Sequence, residues 1–172
     1  MAAIAEVPLV IENVMRGGPS TGLPTKPGQA DIMQARWGSH GDYPSIALYP
    51  AFADQIFSET IRAFNLAEKY LTPVTLLLDE VIGKANERVD IPDPDSIEII
   101  NNRIDKVDSL DIYERPMGEV PPRIDFFKGY PIMVESLEHN AKGYATTNPD
   151  ICDRMQRLRM EMIKQNADDI IK

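Results

Sequence analysis

The segment Arg16-Gly-Gly-Pro-Ser-Thr-Gly-Leu-Pro-Thr-Lys-Pro-Gly28 carries the residue types best suited to holding a ligand. Four glycines and three prolines fall within its 13 residues, and glycine lets a backbone approach a bound molecule closely. Arg16 offers a planar fork of donors that matches a carboxylate or a phosphate. Ser20, Thr21 and Thr25 add hydroxyls. The alternative reading is a tight structural loop. A P-loop is excluded, because the Gly-Lys-Ser/Thr ending is missing. A second cluster is Trp37-Gly-Ser-His-Gly-Asp42, where His40 could be an acid/base, a ligand contact or a turn-stabilising donor. A third is Asp79-Glu80, either a pair of acid/base groups or the acidic first turn of a helix. The helix reading is preferred.

Other chemistries are ruled out by composition. Cys152 is the sole cysteine and His40 and His139 are the sole histidines, so neither a disulfide framework nor a self-contained zinc or iron–sulfur site is expected. Net charge is −9, from 27 acidic and 18 basic residues. No Lys/Arg run interleaves with aromatics, so the electrostatic footprint of nucleic-acid binding is missing. Arg154, Arg157 and Arg159 sit among Asp150, Asp153 and Glu161 and read as a solvated helix face. No apolar run is long enough to span a membrane, and Met1–Glu6 lacks the basic start of a signal peptide. A cytoplasmic protein is expected.

The elements that must position these residues follow from the apolar pattern. Val7–Val14 is a run of buried-strand length. Ala30–Arg36 can form a short helix, and Ser45–Tyr49 reads as a second strand ended by Pro50. Phe52, Ile56, Phe57, Ile61, Phe64 and Ala67 recur at helical spacing over about 18 residues. Thr72-Pro73 stops that helix. Val74–Leu78 is a third strand, with Val81–Ala85 helical after it. This alternation is the rhythm of a parallel α/β sheet. Three strands are few for such a sheet, and the pattern reads as one cut in the middle. A boundary falls near Asn86–Asp95, where Val89-Asp-Ile-Pro-Asp-Pro-Asp95 has the look of an exposed connection. Residues 91–147 are expected to be mostly irregular. Asn148 can cap a last helix with Pro149 at its first position. Ile151, Met155, Leu158 and Met162 line one face of it, and that face must dock on something.

Together, Arg16–Asp31 and Trp37–Asp42 resemble the alpha subunit of 2-oxoacid:ferredoxin oxidoreductases, and above all its 2-oxoglutarate branch. Support continues through Ala63-Phe-Asn-Leu-Ala-Glu-Lys-Tyr70, Thr72-Pro-Val74 and Leu78-Asp-Glu-Val-Ile-Gly83. It resumes at Leu137-Glu-His-Asn140, Gly143 and Thr146–Pro149. Two positions depart from the family pattern. Lys84 stands where a histidine is usual, and Gly143-Tyr-Ala-Thr-Thr147 stands where Gly-His/Tyr-Pro-Thr is common.

The resemblance implies an anaerobic-type enzyme of several subunits that oxidatively decarboxylates a 2-oxoacid. Thiamine diphosphate with magnesium would be shared with a beta subunit, and iron–sulfur clusters would lie in partner subunits. Coenzyme A would take the acyl group and ferredoxin the electrons, with gamma and delta subunits as further partners. The implied fold is α/β: the C-terminal half of a thiamine-diphosphate-binding, pyrimidine-type parallel-sheet domain (1–86), an irregular proline-rich extension (87–147) and a docking helix (148–172) leading to a next domain. The family's Tyr-Pro-Ile-Thr-Pro-type substrate loop and pyrimidine-activating glutamate lie outside these residues, so a central piece of a longer subunit is expected, inactive by itself. By the same resemblance Arg16 pairs with the 2-oxoacid carboxylate, Ser20 and Thr21 shape the loop beside substrate or coenzyme A, and His40 stands behind them. Arg36 is a second substrate candidate, because Asp31-Ile-Met-Gln-Ala-Arg36 resembles a pyruvate-enzyme segment. Its alternative is an ion pair with Asp31 or Asp42. No catalytic acid/base and no metal ligand is assigned to this chain. Two competing readings are a non-catalytic family relic acting as an interaction subunit, and a carboxylate- or phosphate-binding module.

Overall fold

The computed structural model describes residues 1–171. Three parallel strands, β1 (Leu9–Met15), β2 (Ile46–Leu48) and β3 (Pro73–Asp79), form one sheet in the order β1-β3-β2. The centre falls to β3 because it is the most continuously apolar run, and a strand flanked on both sides must be buried on both faces. Its Val74, Leu76, Leu77 and Leu78 are all buried. Pro73 opens the strand, where its missing N–H costs no ladder bond. The register pairs Leu9 with Pro73 through Met15 with Asp79, and Ile46 with Val74 through Leu48 with Leu76. The first strand begins two residues later than its apolar run. Residues 1–7 are instead folded into turns, with Val7 N–H donating to the Ala2 carbonyl at 3.0 Å. The carboxylate of Glu6 is drawn into the interior, where Arg115 holds it by two hydrogen bonds of 2.6 and 3.1 Å.

Between β1 and β2 lie the Arg16 loop and α1 (Asp31–Trp37), and between β2 and β3 runs α2 (Ala53–Tyr70). The face that α2 buries differs from the aromatic one expected. Ala63, Leu66, Ala67 and Tyr70 are buried with Ile46, Leu48, Val74, Leu76 and Leu78, and Ile56 packs beside them. Phe52, Phe57 and Phe64 are exposed, Phe64 by 62%. The two alanines sit one helical turn apart and bring the helix axis close to the sheet, so the bulky rings are carried on an adjacent stripe that faces outward. A short α3 (Glu80–Gly83) follows β3 directly.

The extension has little regular structure, as expected: a 3₁₀ turn at Pro94–Ser96 and a two-residue parallel ladder of β4 (Arg103–Ile104) with β5 (Arg123–Ile124). It is attached to α2 by polar side chains. Asn65 donates to the Glu98 carbonyl at 2.8 Å and accepts from the Ile100 N–H at 2.9 Å, and Asn102 donates to the Lys69 carbonyl at 2.9 Å. The last long helix, α4 (Pro149–Gln165), begins as read: the Asn148 side chain accepts from the N–H groups of Asp150 and Ile151. Met162 joins the sheet cluster, while Met155 and Leu158 build a second cluster with Ile112 and Tyr113. Asn166 interrupts the helix before α5 (Ala167–Ile170). Arg159 corrects the expectation of a solvated basic face. It is 2% exposed and pairs with Glu138 at 2.5 Å, because α4 is packed on more than one side, whereas Arg157 stays outside with Asp153. No described helix is long and apolar enough to cross a membrane.

Candidate functional site

Because β1, β2 and β3 are parallel, their carboxyl ends open on one side, the side where α/β sheets gather ligands. Arg16 follows the end of β1, Tyr49 the end of β2, and Asp79 ends β3. Arg16 is exposed, and no described hydrogen bond or ion pair involves its guanidinium. The loop after it closes on itself: Gly17 N–H donates to the Lys26 carbonyl and Leu23 N–H to the Gly17 carbonyl, both at 2.8 Å. Backbone atoms crowd two of its glycines. At Gly22, with φ of +41°, an added Cβ would lie 2.6 Å from the Gly18 carbonyl carbon, and at Gly28 it would lie 3.0 Å from the Arg16 carbonyl group. Ser20 takes a left-handed φ of +52° without being glycine, a local strain of the kind that collects at functional loops. Ser20 and Thr21 are both exposed.

The return of this loop is anchored by Gln29. Its amide donates to the Tyr49 hydroxyl at 2.9 Å and to the Asp79 carboxylate at 3.2 and 3.4 Å, and Tyr49 donates a short hydrogen bond to the same carboxylate. The bond to Asp79 holds the Tyr49 hydroxyl above its ordinary range, since ionising the phenol would set two anions against each other. Asp79 thus starts α3 without capping it with its side chain, and Glu80 in the first turn is buried and paired with Lys84. The helix reading of Asp79-Glu80 describes Glu80. It misses the bonds of Asp79.

The remaining predicted residues make no described contact with Arg16. Arg36 is exposed on α1 with its guanidinium carbon 4.4 Å from the Trp37 ring centroid. It forms no described ion pair with Asp31 or Asp42, and a stacked cation needs none to be held in place. His40 is exposed and makes no described hydrogen bond, so the turn-stabilising role is not what fixes it. It lines a cleft of about 990 Å³ on the sheet face opposite α2, together with Ile11, Asn13, Thr75, Glu138 and Arg159. Arg16, Ser20, Thr21 and Arg36 do not border that cleft. Sequence reasoning passed over Gln29 and Tyr49. The available signal was position: Tyr49 precedes the proline that ends its strand, and so sits at a carboxyl end.

Over residues 1–157 the chain matches the family described as pyruvate flavodoxin/ferredoxin oxidoreductase, thiamine diphosphate-binding. It is 40% identical to the 2-oxoglutarate synthase subunit KorA of Methanocaldococcus jannaschii, over 99% of this chain and 46% of that subunit. With the subunit of the same name from Methanothermobacter thermautotrophicus the identity is 44%, over 92% of this chain and 44% of that one. A solved structure, the 2-oxoglutarate:ferredoxin oxidoreductase from Magnetococcus marinus with 2-oxoglutarate, coenzyme A and succinyl-CoA bound, superposes with a TM-score of 0.87. The identity there is 32%, over 99% of this chain and 30% of that one. The chain spans less than half the length of these curated relatives. A parallel three-stranded sheet, a glycine-rich arginine loop at its carboxyl ends and this continuous match lead to one assignment: the chain belongs to the pyruvate flavodoxin/ferredoxin oxidoreductase family of thiamine diphosphate-binding domains, in the form carried by 2-oxoacid:ferredoxin oxidoreductase alpha subunits.

Proposed function

We propose that this chain works within a multi-subunit 2-oxoacid:ferredoxin oxidoreductase, with 2-oxoglutarate as its 2-oxoacid. The overall conversion joins the acyl group to coenzyme A, releases carbon dioxide and a proton, and passes two electrons to ferredoxin. Thiamine diphosphate, when bound, supplies the electron-accepting ring that makes decarboxylation possible. Among the described residues no three His, Cys, Asp or Glu side chains are grouped to hold a metal. The magnesium and the diphosphate of that cofactor are assigned to a beta subunit. Iron–sulfur clusters are assigned to partner subunits and the assembly to the cytoplasm. Residues 1–86, 87–147 and 148–172 are assigned to part of the cofactor-binding domain, its extension and a helical segment that leads to a next domain, Lys172 lying outside the described residues.

The chain's own residues bind and orient. Arg16 takes the carboxylate of the 2-oxoacid through its guanidinium fork, and Ser20 and Thr21 shape the loop beside substrate or coenzyme A. Arg36 is a second contact for the substrate, held by its stack on Trp37, and His40 stands further out. The observation that best supports this reading is an exposed arginine with no described carboxylate partner at the carboxyl ends of a parallel sheet in a member of this family.

The test uses the enzyme assembled with its partner subunits. Arg16→Ala is expected to raise KM for 2-oxoglutarate by about tenfold or more, the loss typical of a charge-assisted hydrogen-bonded pair. Arg16→Lys, which keeps the charge and loses the fork, should fall between. An unchanged KM in Arg16→Ala rejects the assignment. The chain alone, given thiamine diphosphate, coenzyme A and ferredoxin, should show no 2-oxoacid-dependent reduction, and turnover by it would reject the subunit reading.

A further inference from the structure

The loop from Gly17 to Gly28 carries the residues proposed to meet substrate, yet it has little to hold it. Its described backbone bonds run within the loop, and none of its side chains makes a described hydrogen bond to the sheet. Its tie to the strand ends is the residue that closes it, Gln29.

Three segments meet at that point, 20, 30 and 50 residues apart in sequence. Their convergence follows from the register. Leu48 pairs with Leu76, so Tyr49 stands level with Leu77, two residues short of Asp79. Two residues of strand rise about 6.6 Å, a span that a phenol side chain can cover, and the Tyr49 hydroxyl reaches the Asp79 carboxylate. Met15 pairs with Asp79 on the other side, so Arg16 begins one residue beyond the level of Asp79. The hydrogen bonds close a triangle in which every group has a defined role. Gln29 donates to Tyr49 and to Asp79, Tyr49 donates to Asp79, and the carboxylate only accepts. Gly28, the neighbour of Gln29, lies against the Arg16 carbonyl so closely that a Cβ would stand at 3.0 Å. Gln29 thus stands one residue from a close approach of the chain to the Arg16 carbonyl.

We propose that Asp79, Tyr49 and Gln29 form a latch that positions Arg16 for the carboxylate of the 2-oxoacid, a role that rests on the reading of Arg16 given above. The three are positioning residues and act through Arg16. Asp79 is the common acceptor, its carboxylate taking a hydrogen bond from each of the two donors. Tyr49 supplies reach, and Gln29 transmits the constraint to the loop.

The experiment is a double-mutant cycle in the assembled enzyme, with hydrogen exchange of the 16–28 peptide as a second readout. Tyr49→Phe keeps the ring and removes two sides of the triangle, leaving the bond from Gln29 to Asp79. It is expected to raise KM for 2-oxoglutarate about threefold to tenfold with kcat within about twofold, and to speed exchange in the loop, as loss of a local tether should. Asp79→Asn should act in the same direction and more strongly, and Asp79→Glu should recover part of the loss. In the Arg16→Ala background Tyr49→Phe should add nothing to KM, since residues that act as one unit are not additive. The latch is overturned if Tyr49→Phe and Asp79→Asn both leave KM unchanged while Arg16→Ala raises it. It is overturned equally if their effects add in full to that of Arg16→Ala. An unchanged KM in Arg16→Ala itself would overturn the substrate reading first, and the latch with it.

Discussion

Around β3 the chain is held by apolar burial, and around the middle of α4 it is held by polar partners. In the first region Ile46, Leu48, Val74, Leu76 and Leu78 meet Ala63, Leu66, Ala67 and Tyr70 of α2 in one cluster. In the second only Ile112, Tyr113, Met155 and Leu158 form a buried apolar group. There the backbone is irregular, and buried Arg115 is bonded to Glu6, to the Tyr113 carbonyl and to the Glu119 carbonyl, while buried Arg159 is bonded to Glu138 and Gln156. Apolar contact is non-directional and tolerates small shifts. A buried guanidinium is not tolerant, since each donor it leaves unpaired costs desolvation. The extension thus has its geometry set by a few directional pairs, that of Arg159 leaving Nη1 without a partner among the described residues.

The largest expected effect lies at Arg115. Arg115→Met should cost about 3–5 kcal/mol, the range for stranding one member of a buried ion pair. Urea denaturation measures it. The charge-free double variant, Arg115→Met with Glu6→Gln, should regain part of that loss, because burial already pushes the Glu6 carboxyl above its usual range.

Truncation of apolar side chains should rank the two regions next. Leu76→Ala falls within the about 2–5 kcal/mol expected of a buried leucine, and it should lie toward the top of that range. Both neighbours of Leu76 are fixed by strand pairing or helix packing, so the void cannot close. Leu158→Ala, against an irregular segment that can relax, should lie toward the bottom. Equal losses would erase the distinction.

A smaller effect is expected at the seam between the regions. Asn65→Ala removes both hydrogen bonds that tie residues 98–100 to α2 and should cost about 1 kcal/mol. The same variant should increase hydrogen exchange in that stretch without changing β3.

The smallest expected effect is a pH dependence confined to the extension. His139 is fully buried, stacks edge-on against Tyr113 with centroids 4.3 Å apart, and leaves Nε2 without a partner. Burial pushes its pKa down, and the nearby Arg159 adds to that, against opposing pulls from the Leu137 carbonyl, Glu138 and Glu135. A depressed folded pKa means that the stabilisation is intact above the free histidine value of 6.5 and is lost as pH falls through the lower folded value. The melting temperature should therefore drop more between about pH 7 and about pH 5 in the native chain than in His139→Phe, which keeps the ring contact and cannot titrate.

Legibility in the sequence follows the same division. The three strands, the length of α2 and the Asn148-Pro149 start of α4 could be read because periodicity and caps are local signals. The choice of face on α2 could not, since Phe57 and Phe64 satisfy helical spacing as well as Ala63 and Ala67 do. Which stripe is buried depends on how close the sheet must come. At the site, the Arg16 loop was visible in its glycines and its family resemblance. Gln29 and Tyr49 were not, because neither residue type signals a function until Asp79 stands beside it.

By itself the sequence determined a parallel α/β sheet, a glycine-rich arginine loop leaving its first strand, an irregular acidic extension and a capped final helix. Each of these follows from residues within a few positions of one another. The tertiary structure alone decided that Glu6 would meet Arg115 across 109 residues, that Arg159 would be buried instead of solvated, and that Tyr49, Asp79 and Gln29 would close on one another. A charged or polar side chain gains a defined position only from its partner. The chain's path through space, and not its local pattern, chooses that partner.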